Sequence, residues 1–115
     1  MSVVFHPMRK IEIIVKGERK DFVRDLLENA GVTGYTLIKD VAGMGHTGYH
    51  EAKLLFNDQA TLVMFIAVAR PETIDEVADG LYPLFEKHSG VMFLSDTQVA
   101  RIEKFTPKPE SETGS

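Results

Sequence analysis

Three glycines, at positions 43, 45 and 48, fall within one short stretch of the sequence. Glycine adopts positive φ without a Cβ penalty, so closely spaced glycines let successive backbone N–H groups point at a single anion. The chemistry that this spacing predicts is phosphate binding by the main chain. The same spacing also occurs in ordinary hairpin turns, and the glycines alone leave both interpretations open.

Metal binding is the second chemistry that this stretch offers. His46, His50 and Glu51 have a spacing that could ligate zinc on a helix, but Gly45 and Gly48 argue against a helix there. The sequence has no cysteine, which excludes thiol catalysis and cysteine-based zinc sites. It also contains no nucleophile elbow, Walker motif or paired-carboxylate motif. We therefore expect no resident metal and no enzymatic activity.

The composition limits the class of protein. A chain of 115 residues with 43% hydrophobic content is long enough for one domain with a real core. We expect that domain at residues 1–106 and an extended or mobile polar tail at residues 107–115. A net charge of −4 argues against a general nucleic-acid binder. No stretch reaches the roughly 20 apolar residues of a spanning helix, and the first residues lack the order of a signal peptide, so we expect a cytoplasmic protein.

The hydrophobic periodicity predicts the elements that hold this stretch. Period-two or continuous apolar patterns predict strands, and amphipathic patterns predict helices. Gly31 ends the first helix, Pro71 opens the second, and Pro83 predicts a kink or break with a last turn at residues 84–88. A hairpin end is expected at residues 57–58. The predicted strands are residues 8–16, 35–41, 61–69 and 91–95, and the predicted helices are residues 18–30 and 71–88.

The order of these elements predicts a fold. A βαββαβ chain is the α+β, ferredoxin-like sandwich, in which right-handed crossovers put both helices on one face of an antiparallel sheet. The third strand is apolar on both of its faces, and Ile14 adds to the face that the helices leave uncovered. Because such a face is not stable in water, we expect another subunit to cover it, and hence a homo-oligomer.

Three motifs, Ala30–Thr36, Ala42–Gly48 and Ser89–Phe93, carry a resemblance to the PII-like signalling family that extends over residues 9–105. The stretch Ala30–Thr36 is similar to that family's junction between its first helix and second strand. Ala42–Gly48 resembles the start of its T-loop, a long loop that is shorter here than usual, and Ser89–Phe93 resembles a shortened B-loop. The resemblance is closest to the carboxysome-associated PII proteins and the regulators of bicarbonate transporters.

This resemblance implies a homotrimer whose inter-subunit clefts bind adenine nucleotide and whose T-loop responds to the ligand. The adenosine part would contact the start of the second strand, the T-loop would surround the phosphates, and a neighbouring subunit would close the cleft. The implied adenosine contacts are Gly34, Tyr35 and Thr36, the phosphate contacts are Gly43, Met44, Gly45 and His46, and the closing residues are Gly90 and Arg101.

The sequence departs from the family at its cations. Val91 follows the B-loop glycine where relatives that hold a triphosphate have a lysine, and Glu103 stands where they have a second arginine. Fewer cations favour ADP or AMP over ATP, and the Arg101 guanidinium suits either phosphate or bicarbonate. Tyr49 lies near a tyrosine that some relatives uridylylate, but its surroundings do not match, so we do not expect that modification.

Plainer interpretations remain open. Gly34 and Thr36 could simply complete a turn and a strand, and Arg101 could be a solvated or ion-paired residue of an edge strand. The leading functional prediction is a regulator of inorganic-carbon metabolism whose partner is a bicarbonate transporter or carboxysome component. The alternatives are a CutA-like metal-binding trimer, and a dimeric monooxygenase or isomerase that uses the open sheet face as a pocket.

Overall fold

A computed structural model describes residues 3–42 and 61–101. Within these residues the chain forms four strands, two helices and a short 3-10 turn, Gly17–Arg19, before the first helix. None of the helices in the described segments is long and apolar enough to cross a membrane. The strands are β1 (His6–Lys16), β2 (Tyr35–Val41), β3 (Leu62–Ala69) and β4 (Gly90–Val99), and the helices are α1 (Lys20–Asn29) and α2 (Pro71–Lys87).

The strands form one antiparallel sheet in the order β2-β3-β1-β4. β1 and β2 are not neighbours in this sheet, and neither are β3 and β4. In each case a helix carries the chain over the sheet from one strand to the next. The element order and sheet order are those of the ferredoxin-like α+β fold, which confirms the predicted fold class.

Alternation along the central strands defines the core. Ile11, Ile13 and Val15 of β1 are fully buried, whereas Glu12 and Ile14 between them are only partly covered. The buried side chains face the helices, as the period-two pattern predicts. The same face of β3 and one stripe of each helix complete the core, with Val63, Phe65, Ala67, Ala69, Val23, Leu27, Ile74, Val77 and Leu81.

Helix α1 ends as the sequence predicts. Gly31 has φ +93°, a conformation that favours glycine, and its N–H donates to the carbonyl of Glu28 at 3.1 Å. The next N–H, that of Val32, donates to the carbonyl of Leu27 at 3.1 Å, which completes a Schellman motif. This termination directs the chain toward the start of β2.

The sequence predicts a kink or a break at Pro83, and the break is wrong because α2 continues through Pro83 to Lys87. Proline removes one backbone N–H, so the carbonyl of Asp79, four residues earlier, loses its helical donor. Both residues are exposed, so water can satisfy that carbonyl. Three buried side chains of α2 hold the helix on the sheet, Ile74, Val77 and Leu81.

Two strand boundaries differ from the prediction by two or more residues. β1 begins at His6 rather than Met8, and β4 extends to Val99 rather than ending at Ser95. The two extensions pair with one another, since His6 lies opposite Val99 in the ladder. His6 is therefore part of the sheet. Cross-strand hydrogen bonds stabilise polar segments that periodicity alone assigns to loops.

Some predictions fall outside the described residues. These are the hairpin end at residues 57–58, the zinc candidates His46, His50 and Glu51, Tyr49, the domain boundary at residue 106 and the tail at residues 107–115.

Candidate functional site

The start of β2 carries the predicted adenosine contacts. A Cβ added at Gly34 would meet no atom within 4 Å, so this position is open within the chain. Tyr35 turns its ring to the helix side, where it packs on Phe65 with ring centroids 5.4 Å apart. Thr36 is exposed, and strand alternation puts it on the opposite, open face of the sheet.

Arg24 fixes the Tyr35 side chain from α1. Its Nε donates to the Tyr35 hydroxyl at 2.9 Å, and its Nη1 donates to Asp21 at 2.9 Å. The hydrogen bond to Tyr35 raises the pKa of Arg24 above its usual value, and the Asp21 carboxylate acts in the same direction. The Tyr35 side chain is thus engaged on the helix side, and a ligand on the open face would meet this residue through its backbone.

The turn that leads into β4 is shaped by Phe85. Gly90 has φ +158°, and a Cβ added there would collide with the Phe85 ring at the end of α2. A side chain at residue 90 would require the Phe85 ring to shift. Gly90 therefore has a packing requirement of its own, in addition to the ligand contact that the sequence predicts.

His88, which caps α2 just before this turn, contacts the 3-10 turn. Its Nδ1 lies 2.8 Å from Nη2 of Arg19, and Glu18 lies 3.5 Å from the same guanidinium nitrogen. Nε of Arg19 is buried and has no hydrogen-bond partner among the residues that the structure describes. This contact joins residues 69 positions apart, and no pattern in the sequence indicates it.

The T-loop connects the ends of β2 and β3. Val41 pairs with Leu62 beyond a bulge, and Asp40 within that bulge has φ 58°, a left-handed conformation that aspartate tolerates. The carbonyl of Thr61 accepts a hydrogen bond from the N–H of Gly17 at 2.7 Å. The predicted phosphate contacts Gly43, Met44, Gly45 and His46 lie outside the described residues.

The register separates the two predicted closing residues. Gly90 pairs with Val15, next to Lys16, which pairs with Leu62, so Gly90 and the base of the T-loop lie at one end of the sheet. Arg101 is exposed and lies two residues beyond the other end of β4. β4 has 10 residues and spans roughly 30 Å, so Gly90 and Arg101 of one subunit cannot contact the same small ligand.

The adenosine contacts are also distant from Gly90. They lie on β2, whereas Gly90 begins β4, and these are the two edge strands of the sheet. Two strands lie between them, which corresponds to roughly 14 Å across the sheet. One chain therefore does not bring the predicted site together. Arg101 also lies outside β4, so its interpretation as an edge-strand residue is not supported.

Other charged contacts in the structure were not predicted from the sequence. Arg9 of β1 lies 2.7 Å from Asp75 of α2 and 3.5 Å from Asp96 of β4. The Asp21–Arg24 spacing, typical of ion pairs along a helix, was a usable signal, but nothing local indicates the contacts between distant elements.

Among residues 3–42 and 61–101, no group of three or more His, Asp or Glu side chains is arranged to hold a metal ion.

A four-stranded antiparallel sheet with both helices on one face, and a glycine turn beside the base of the β2–β3 loop, defines a protein of the ferredoxin-like class. The sequence pattern described as nitrogen regulatory protein P-II matches residues 8–104. The chain belongs to this family, as the motifs at the start of β2, in the T-loop and before β4 predict.

Solved structures of CPII, a nitrogen regulatory PII-like protein from Thiomonas intermedia K12, are similar to this chain. CPII bound to ADP, AMP and bicarbonate is 42% identical, with a TM-score of 0.80, over 91% of this chain and 99% of CPII. Its apo form is 39% identical, with a TM-score of 0.71, over 87% of this chain and 99% of the CPII chain.

A more distant structure shows the fold alone. A PII-like signalling protein from Thermus thermophilus is 14% identical, with a TM-score of 0.70, over 89% of this chain and 98% of that one. A search of curated proteins finds no significant match.

Proposed function

We propose that the chain is a cytoplasmic, non-catalytic sensor: a homotrimer whose inter-subunit clefts bind ADP or AMP together with bicarbonate. The observation that carries the proposal is the 42% identity to CPII, which was solved with ADP, AMP and bicarbonate. That similarity covers 91% of this chain. An acetate-bound form of CPII was also solved with both nucleotides, which favours a small carboxylate-like anion beside them.

The separation of the candidate residues supports a cleft between subunits. Gly90 and the T-loop base share one end of the sheet, whereas Arg101 lies beyond the other end. We propose that Gly90 and Arg101 reach a given cleft from different subunits, which revises the grouping that the family resemblance implies. The T-loop glycines would then contact phosphate from the same subunit as Gly90.

The open face of the sheet supports the trimer. One row of directly paired residues crosses all four strands, and every member is apolar: Ile38, Met64, Ile14 and Val91. Ile38 and Val91 are 42% and 38% exposed, and Phe93 in the next row is 51% exposed. Burying such a row against identical rows of other subunits releases water from apolar surface.

The lack of a charged side chain at residue 91 supports a low-phosphate nucleotide. Val91 follows Gly90 and its exposed side chain carries no charge. Each extra phosphate oxygen needs a donor or cation once it leaves water, so a cleft with fewer cations favours ADP or AMP over ATP. We propose that ligand contacts alter the T-loop, and that the T-loop acts on a partner in inorganic-carbon metabolism, such as a bicarbonate transporter or carboxysome component.

Isothermal titration tests the proposal. AMP, ADP, ATP and cyclic AMP are titrated separately into the purified chain, with and without bicarbonate. We expect micromolar binding of ADP or AMP and weaker binding of ATP. Arg101→Ala should weaken ADP binding by about tenfold through the loss of one charge-assisted contact. Arg70→Ala removes the same charge at an exposed residue just before α2 and should bind as the unaltered protein does.

Two results would overturn the proposal. One is the absence of heat for every nucleotide up to millimolar concentration. The other is a stoichiometric metal that survives chelation, which would favour the CutA-like alternative.

A further inference from the structure

The 3-10 turn Gly17–Arg19 contacts both elements that flank the proposed cleft at this end of the sheet. The N–H of Gly17 donates to the carbonyl of Thr61, where the T-loop rejoins the sheet, at 2.7 Å. Arg19 Nη2 lies 2.8 Å from Nδ1 of His88, next to the Ser89–Gly90 turn. The turn therefore connects the base of the T-loop to the turn before β4.

The Arg19–His88 contact requires a particular protonation state. Arginine carries only donors, so Nδ1 of His88 must accept, which it does only when its proton is absent. A protonated His88 would instead present a second donor and a second positive charge to Arg19. The other charged groups near this contact are Glu18, 3.5 Å from Arg19, and Glu86 and Lys87, which immediately precede His88 in the chain.

The geometry around this contact limits how the β4 turn can move. Phe85 lies where a Cβ of Gly90 would stand, so the turn is restrained from one side by a ring. His88 joins that ring's helix to Gly90 through a single intervening residue. The Arg19 guanidinium is itself partly covered, with 31% of its side chain exposed and Nε buried. Arg19 therefore offers a fixed donor rather than a freely moving surface charge.

We infer that Arg19 is a positioning residue for the nucleotide cleft: through unprotonated His88 it holds Ser89 and Gly90 in the conformation that binds ADP. This inference rests on the proposed function, since it assigns the turn a role in nucleotide affinity. Protonation of His88 breaks the contact, releases the turn and weakens ADP binding. The sensor thus responds to acidity, which changes together with bicarbonate in solution.

The test measures ADP affinity by titration calorimetry at pH 8, 7 and 6 for the whole protein and four variants. Arg19→Ala and His88→Leu remove the donor and the acceptor, and we expect ADP binding weakened by roughly three- to tenfold at pH 8. His88→Asn keeps an acceptor that does not titrate, so it should bind normally at pH 8. Arg70→Ala is the matched control for the loss of an arginine.

The pH profile distinguishes positioning from general stability. The terminal phosphate of ADP titrates near pH 6 and affects all variants alike, so the informative quantity is the difference between profiles. The unaltered protein and Arg70→Ala should lose more affinity between pH 8 and pH 6 than His88→Asn does.

The outcomes separate this inference from the proposed function. Absence of ADP binding to the unaltered protein would reject both. If the unaltered protein binds ADP but Arg19→Ala binds equally well, the inference is wrong and the proposed function stands. A pH profile of His88→Asn identical to that of the unaltered protein would also reject it. Because His88 is exposed, its two variants test the inference even if Arg19→Ala does not fold.

Discussion

At the scale of single residues, Gly90 shows how packing and ligand binding can require the same amino acid. The family resemblance singles it out as a ligand contact, whereas the structure adds a steric reason, because the Phe85 ring occupies the space of a Cβ. Gly34 differs, since the space around it within the chain is empty. Substitutions at the two positions therefore separate a requirement of the fold from a requirement of the ligand.

Gly90→Ala should lower the free energy of unfolding by about 1–3 kcal/mol, because the added methyl group displaces the Phe85 ring. Urea denaturation followed by circular dichroism measures the change. In the double variant with Phe85→Leu, the loss should be smaller than the sum of the two single losses. Strict additivity would mean that the ring and residue 90 do not compete for space.

Gly34→Ala should leave the free energy of unfolding within about 0.5 kcal/mol of the unaltered protein but weaken ADP binding by about tenfold, if the adenosine part lies against this position. Tyr35→Phe provides the matched comparison. It removes only the hydroxyl that faces Arg24, so ADP affinity should change by less than about twofold. Titration calorimetry measures the ADP affinity of both variants, and urea denaturation measures their free energy of unfolding. Unchanged affinity in Gly34→Ala would remove this residue from the proposed site.

At the scale of elements, periodicity predicted the strands and helices, and it failed where a long-range contact decided the outcome. The buried face of β1 follows from alternation alone, and Gly31 marked the end of α1. The extension of β4 to Val99 depends on pairing with His6, far away in the sequence. The Arg19–His88 contact has the same character, and no local pattern contains the information to predict it.

The continuity of α2 through Pro83 is the clearest failure of local reasoning. Proline costs about 3 kcal/mol in a helix interior relative to alanine, which predicted a kink or a break. Burial of Ile74, Val77 and Leu81 on one stripe opposes that cost, and the exposed position of Pro83 limits it. Tertiary packing therefore outweighs propensity in this helix.

Pro83→Ala should raise the free energy of unfolding by about 1–2 kcal/mol. The gain comes from a restored N–H for the Asp79 carbonyl, and part of it is offset because proline also restricts the unfolded chain. Thermal and urea denaturation measure the change. Tyr82→Ala is the control at the neighbouring exposed position and should shift stability by less than about 0.5 kcal/mol. A loss of stability in Pro83→Ala would show that the helix requires the proline geometry.

At the scale of the whole molecule, the open sheet face links the fold to the proposed site. Helices cover one face only, and the row Ile38–Met64–Ile14–Val91 leaves an apolar strip across the other. The candidate binding residues are distributed over two edges and two ends of this sheet. Association through the open face would bury the strip, and it would supply the second chain that a complete cleft needs.

Met64→Lys tests this link, because it introduces a charge at the middle of the apolar row. Burying an unpaired ammonium costs several kcal/mol, which opposes association through this face. Light scattering after size exclusion should give three times the 12.8 kDa chain mass for the unaltered protein and a single chain for the variant. ADP binding should be lost together with the trimer, since no single chain holds a complete cleft. Tyr82→Lys adds the same charge on the helix side, at a residue that is 60% exposed, and should remain trimeric and bind ADP. A Met64→Lys protein that stays trimeric would place the subunit interface elsewhere, and a monomer that still binds ADP would show that the site lies within one chain.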